Sequence, residues 1–252
     1  KLILSQFQNL KNETSQNYDH YEFHSLYHDI HNFCTLNLSS FYLDIIKDRL
    51  YVLNADSLSR RAAQTVLYKI INDLTRLIAP VLSFTAEEIW HVLKDTTNLE
   101  ESVFLTDWPS IEPALVQTEL EGSWEKLLTV RKDVLKALEI RRKDGLIGNS
   151  LQAQVALYTK DKALYDYLKQ FQDKLEMIFI VSRVDLHLSQ NVAAEGGVFQ
   201  GEEIPELFIE IKVAPGGKCE RCWNYSETVG TDSRYPDICQ RCISVLEKVS
   251  HN

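Results

Sequence analysis

The chain has 252 residues, 44% of them apolar and 25% charged, with a net charge of −9. That length holds one or two domains and a small module, and the acidity argues against a general binder of nucleic acid. No apolar run approaches a membrane span, and the opening Lys1-Leu-Ile-Leu4 is neither an initiator methionine nor a signal peptide, so the chain is expected to be a soluble piece of something longer.

Residues 1–145 are expected to be helical, and the first 79 contain neither Gly nor Pro. Across 18–50 the apolar residues Phe23, Leu26, Ile30, Phe33, Cys34, Phe41, Ile45 and Ile46 recur every three or four positions. A second helix, over about 57–79, is expected to turn Ala62, Val66, Ile70, Leu74 and Leu77 inward and to end at Pro80. Thr85-Ala-Glu-Glu88 reads as a capping box that opens a short helix through Ile89, Trp90 and Leu93. After a loop with Pro109 and Pro113, a helix over about 118–143 carries the stripe Trp124, Leu127, Leu128, Val134, Leu135 and Leu138. The fold class expected is mainly α, with an antiparallel helix bundle over 1–145.

The pattern then changes. Segments 154–158 and 178–188 read as strands, 161–171 as a helix between them, and Gly196-Gly197 with an acidic loop leads to a third strand over 207–213. A small α/β junction unit is expected over 146–214, hinged at Pro215-Gly216-Gly217 to a module over 215–252.

That module carries Cys219-Glu-Arg-Cys222 and, after sixteen intervening residues, Cys239-Gln-Arg-Cys242. Two such loops can aim four thiolates at one point and close a tetrahedron around Zn²⁺, a set that holds shape rather than doing chemistry. The alternative is two strained disulfides. Cys34, solitary in an apolar helical pattern, and the lack of a secretory signal favour a reducing compartment and hence zinc. Over 215–242 the sizeable apolar side chains are Trp223, Tyr225, Val229, Tyr235 and Ile238, too few for a core, and zinc would supply roughly 10–16 kcal/mol of folding energy.

Charge is uneven. Residues 126–143 carry seven basic side chains (Lys126, Arg131, Lys132, Lys136, Arg141, Arg142 and Lys143) against Asp133 and Glu139, a strip suited to a phosphate backbone. Trp223 and Tyr225 follow the first cysteine knuckle, Arg221 lies inside it, and Arg234 and Arg241 lie near the second. Aromatics among arginines suit stacking on unpaired bases, and the competing reading has Trp223 packed over the zinc loops as a miniature core. His20, His24, His28 and His31 share one helical arc and are expected to form a polar stripe against a neighbouring helix, since one helix cannot wrap four imidazoles around an ion. Asp44, Lys47, Asp48 and Arg49 are expected to form solvated ion pairs along their own helix, and Cys34 to behave as a small buried hydrophobe. No Gly-rich phosphate loop, GxSxG or HExxH occurs, so no catalytic residue is assigned.

These residues carry a resemblance. Gly217-Lys-Cys-Glu-Arg-Cys-Trp-Asn-Tyr-Ser226 is similar to the C-terminal zinc finger of bacterial isoleucine–tRNA ligases, a finger type found also in formamidopyrimidine-DNA glycosylases. The run from His31 to Tyr51 resembles the anticodon-binding helix of class I ligases for branched aliphatic amino acids. Ala63-Gln-Thr-Val-Leu-Tyr68, Leu77-Ile-Ala-Pro-Val-Leu82, Thr85-Ala-Glu-Glu-Ile-Trp90, Val130-Arg-Lys-Asp-Val134, Ala137-Leu-Glu139, Arg142 and Ile147-Gly-Asn-Ser-Leu151 continue it in family order. The family usually has Lys where this chain has Asn149, and its HIGH and KMSKS signatures and editing domain are absent.

The resemblance implies a C-terminal fragment that binds zinc and grips the anticodon stem-loop of isoleucine-specific tRNA. Catalysis with ATP would take place in a domain this chain lacks. The implied metal ligands are Cys219, Cys222, Cys239 and Cys242, and the implied RNA contacts are Trp223, Arg221, Arg131, Arg142, Arg141 and Arg241. The expected setting is the cytoplasm, as a monomer, without membrane or DNA partners. Competing readings are an autonomous zinc-ribbon adaptor for RNA or protein, and a DNA glycosylase. The glycosylase would need an N-terminal Pro-Glu pair where this chain has Lys1-Leu2.

Overall fold

The computed structural model describes residues 1–95, 98–189 and 197–249, so Gly196 of the expected Gly196-Gly197 turn lies outside the described residues. The described residues are mainly helical, with one small mixed sheet and a short hairpin. They divide into two compact units: Lys1–Asp44 with Ala55–Gly122, and Ile45–Asn54 with Ser123–Asn252.

The first unit is built on α1 (Leu2–Asp19), α2 (Phe23–Asn32), α4 (Leu58–Ile78) and α5 (Ser83–Lys94). Between α2 and α3 (Leu43–Tyr51) the chain stays helical over Phe33–Tyr42 but opens to wider π-type turns. Apolar residues at three- and four-residue spacing make the core: Ile3, Leu4, Phe7 and Leu10 of α1 meet Phe33 and Ile70, Leu74 and Leu77 of α4. The Phe7 and Phe33 rings lie 5.3 Å apart. The inward register of α4 runs through Ala63, while Ala62 is exposed, a one-residue correction to the expected face. Cys34 is half-buried against this core, and burial pushes its thiol pKa up. Lys11 is fully buried. Its Nζ donates to Asp73 at 2.9 Å and to the Ser110 carbonyl at 2.6 Å.

The four histidines do not pack against a neighbouring helix. Leu26 forms the buried face of α2, and His20, His24, His28 and His31 fall off it and are exposed. The His24 and His28 rings meet edge to face at 4.4 Å, and Tyr27 stacks on His31 at 5.6 Å. The Thr85 capping box does not form either. Helix α5 begins at Ser83, which places Thr85 inside its first turn; the Glu87 carboxylate accepts from Ser102 Oγ and the Val103 N–H, both at 3.0 Å.

The second unit is organised on a four-stranded sheet in the order β2-β1-β4-β3, formed by β1 (Ala153–Thr159), β2 (Arg183–Leu188), β3 (Val198–Gln200) and β4 (Leu207–Val213). β1 and β2 run parallel, joined by the crossover helices α7 (Lys162–Lys169) and α8 (Gln172–Phe179); β4 runs antiparallel to β1 and to β3. Helix α6 (Thr118–Lys143) ends where the sequence implies. The sequence groups it with the bundle, but its stripe of Leu127, Val130, Val134, Ala137 and Leu138 packs with Val155, Leu157, Leu164, Leu168, Ile209 and Ile211 in the core under the sheet. The stretch 178–188 is only partly strand. Ile178 and Phe179 close α8, Ile180 takes a left-handed φ of 57° that ends the helix, and β2 starts at Arg183. β3 has no counterpart in the sequence reading.

Asp133, counted in the sequence as an acid within the basic strip, is buried. Its Oδ1 accepts the N–H groups of Glu202 and Glu203 at 3.0 and 3.1 Å, and its Oδ2 that of Ile204 at 3.0 Å. Among the described residues no helix is long and apolar enough to cross a membrane.

Candidate metal centre and nucleic-acid interface

The first cysteine knuckle is the turn of a hairpin. β5 (Gly217–Lys218) pairs with β6 (Tyr225–Ser226), placing Cys219 to Cys222 between them. Gly216 enters this hairpin at φ +86°, and a Cβ there would fall 2.2 Å from the Ser226 carbonyl carbon, so only glycine fits. Trp223 closes the knuckle with φ 65°; its N–H donates to the Cys219 carbonyl at 2.8 Å. The second knuckle leads into α9 (Gln240–Val249), where the Cys242 N–H donates to the Cys239 carbonyl at 2.9 Å. Two further bonds join the knuckles: the Glu220 N–H to the Asp237 carbonyl at 3.0 Å, and the Cys239 N–H to Cys219 Sγ at 3.3 Å.

The four sulfurs consequently lie within 4.8 Å of one another, with 3.8 Å between those of Cys222 and Cys239. A tetrahedron with Zn–S bonds of about 2.3 Å has edges of about 3.8 Å, so the set fits that ion. None of the four is in a disulfide. Cys219, Cys239 and Cys242 are buried, packed with Val52, Val229 and Ile238. That small core omits Trp223, which is 61% exposed with Lys218 Nζ 5.7 Å from its ring centre.

Electrostatics favour the thiolate at Cys219. Burial opposes ionisation of Cys219, but the amides of Cys239, Cys222 and Arg221 outweigh it and lower the pKa to about 6. Burial pushes the thiols of Cys222 and Cys242 up. The Asn224 amide and Arg241 oppose it at Cys222, and Arg221 opposes it at Cys242. One guanidinium nitrogen of Arg221, Nη1, is buried without a protein hydrogen-bond partner, consistent with a counter-charge waiting on a metal-bound sulfur.

The six side chains assigned to RNA occupy different settings. Trp223 projects into solvent, and Arg142 is largely exposed, paired at 2.7 Å with Glu139 one turn back. Arg141 pairs with Asp144 at 3.1 Å and lies against Gly197. Arg131 donates through Nε to the Ile178 carbonyl at 2.9 Å, tying α6 to the end of α8. Arg221 turns toward Cys242, and Arg241 grips Asp48 of α3 with bonds of 2.9 and 2.7 Å. Asp48 therefore pairs with a residue 193 positions away rather than along its own helix, and Arg49 donates to the Met177 sulfur at 3.1 Å. A further feature, absent from the sequence reading, is a row of rings on the polar face of the sheet. His187, Tyr158 and Phe208 are direct cross-strand partners, the first two stacked at 4.8 Å. The alternation over 154–158 and 207–213 was its only sequence signal.

Comparison with known proteins agrees with this geometry. A family model described as the anticodon-binding domain of tRNA ligase matches residues 1–157, and one for the zinc finger found in FPG and IleRS matches residues 216–245. The chain belongs to the tRNA-ligase anticodon-binding family, and its four-cysteine cluster holds one structural zinc ion. It is similar to several isoleucine–tRNA ligases. That of Caldanaerobacter subterraneus subsp. tengcongensis is 48% identical over 249 residues, 98% of this chain and 26% of the relative. That of Moorella thermoacetica is 47% identical over 249 residues, 99% of this chain and 27% of the relative, and that of Syntrophotalea carbinolica 44% over 243 residues, 96% and 26%. The chain spans about a quarter of the length of the curated relatives it matches.

Proposed function

We propose that this chain is the C-terminal tRNA-recognition part of an isoleucine–tRNA ligase, gripping the anticodon stem-loop of isoleucine-specific tRNA in the cytoplasm as part of a monomer. The observation that carries the reading is the order on one chain of an anticodon-binding match and a zinc-finger match, across a span aligned with isoleucine–tRNA ligases. ATP-dependent attachment of isoleucine belongs to a domain outside this chain. The functional segments are an antiparallel anticodon-binding helix bundle over 1–145, its last helix shared with the core of the sheet, an α/β junction over 146–214 and a zinc module over 215–252.

Within it, Cys219, Cys222, Cys239 and Cys242 are the zinc ligands, and the metal gives the module a fixed shape. Trp223 is the stacking residue: the knuckle fixes its backbone while the ring stays open to an unpaired base. Arg142 holds phosphate, since a surface ion pair such as that to Glu139 is weak and easily exchanged. Arg141, whose pair to Asp144 is of the same surface kind, holds phosphate beside it, while Arg131, Arg221 and Arg241 act mainly by shaping that surface, each committed to a protein partner.

The test is a titration of the chain with isoleucine tRNA and with a non-cognate tRNA at two salt concentrations. Arg142→Ala is expected to weaken both tRNAs and flatten the salt dependence. Trp223→Ala is expected to cost about 1–3 kcal/mol in cognate binding with zinc retained, and Trp223→Phe to recover much of it. Equal binding of the two tRNAs by the unmodified chain, or a loss at Trp223→Ala only in step with zinc loss, would overturn the reading.

A further inference from the structure

We infer that Arg241 is a bridging residue through which the occupied zinc site positions the C-terminal half of α3. Three observations meet in this side chain. Its guanidinium faces the Cys222 sulfur. It also donates two hydrogen bonds to the Asp48 carboxylate, at 2.9 and 2.7 Å. One turn beyond Asp48, Val52 is buried in the same small cluster as Cys219, Cys239 and Cys242.

Charge supplies the reason. A divalent ion with four thiolates leaves a net charge of 2−, largely shielded from water. The second variable residue of each knuckle is an arginine, Arg221 in the first and Arg241 in the second, and each turns to a cysteine of the opposite knuckle: Arg221 to Cys242, Arg241 to Cys222. Two guanidinium groups therefore balance the charge of the loaded centre. Asp48 completes a relay from thiolate through guanidinium to carboxylate, the arrangement by which outer partners orient metal ligands. Glu176 of α8 also feels the charge of Arg241, so the bridge sits among three elements of the second unit. The Val52 N–H donates to the Asp48 carbonyl at 2.9 Å, so fixing the Asp48 side chain and the Val52 side chain fixes the last turn of α3.

The assignment goes beyond tRNA recognition and is tested without RNA. Zinc-loaded chain is mixed with a chromogenic chelator, and hydrogen exchange is followed at the amides of 49–53. Arg241→Met is expected to raise the rate of zinc transfer about tenfold or more, the range for loss of an outer-shell partner. It should also expose the 49–53 amides to exchange while zinc is still bound. Asp48→Asn keeps the shape of the side chain and should raise zinc transfer severalfold. The double variant should be no faster than Arg241→Met, because Asp48 acts through Arg241. Zinc transfer unchanged in both single variants would leave an ordinary surface ion pair and overturn the inference. So would exchange at 49–53 that responds neither to Arg241→Met nor to removal of zinc from the unsubstituted chain.

Discussion

Replacing Asp133 by alanine tests whether α6 belongs with the sheet. The carboxylate is 1% exposed and takes three backbone N–H groups at 3.0 to 3.1 Å, those of Glu202, Glu203 and Ile204. Hydrogen bonds to a charged group contribute about 1.5–3 kcal/mol each, so the three together hold about 4.5–9 kcal/mol before relaxation. Glu202 and Glu203 are exposed, so water can replace the carboxylate at two of the three amides. The expected net loss is about 3 kcal/mol for Asp133→Ala. Asp133→Asn keeps an acceptor for Glu202 and Glu203 but turns an amide toward the Ile204 N–H, and about 2 kcal/mol is expected. The chain has two compact units, so stability is read locally, by hydrogen exchange of β1 and β4 across a urea series. A loss below about 1 kcal/mol for alanine, or equal losses for the two substitutions, would refute the reasoning.

Lys11→Met should destabilise the first unit by about 3 kcal/mol in urea unfolding, because it strands the Ser110 carbonyl and leaves Asp73 with Arg76 alone. Gly216→Ala should cost more than about 1 kcal/mol and hasten zinc release to a chelator, since its Cβ would meet the Ser226 carbonyl. Metal analysis should find one zinc per chain, unchanged in Cys34→Ser and lost in Cys219→Ser. Chelation should open 215–249 to limited proteolysis while β1 and β4 stay protected, because the apolar core of that module is small.

The cysteine cluster was legible because metal ligation needs one atom type at fixed spacing, and no rearrangement of the surrounding chain changes which residues can supply it. Helix α6 was legible for a related reason: 26 residues of consistent period outweigh local noise. What sequence could not decide was the destination of each polar group. Glu87, inside the run that reads as a capping box, accepts from Ser102 and Val103 in a loop beyond the helix. Asp48 read as half of a solvated ion pair, and Arg131 and Arg241 as RNA contacts, yet each bonds a partner from another element. The run Ile178-Phe-Ile-Val181 was ambiguous because a buried helix end and a buried strand are both continuously apolar, and the left-handed residue at Ile180 leaves no signature when it is not glycine. β3 is too short, at three residues, to show a period.

The wide turns over Phe33–Tyr42 have a consequence for how this chain tolerates insertion and deletion. Leu26 before them, and Phe33 and Phe41 near their two ends, are buried in the first unit. Each turn that closes over five residues instead of four slips the phase of the helical residues after it. The stretch works as a phase adjuster. A single-residue deletion inside it would let the backbone relax to ordinary α turns, and its composition would be nearly unchanged. Phe41, buried like Phe33, would nonetheless rotate off its buried position in the first unit. In this segment residue count is constrained more tightly than residue identity.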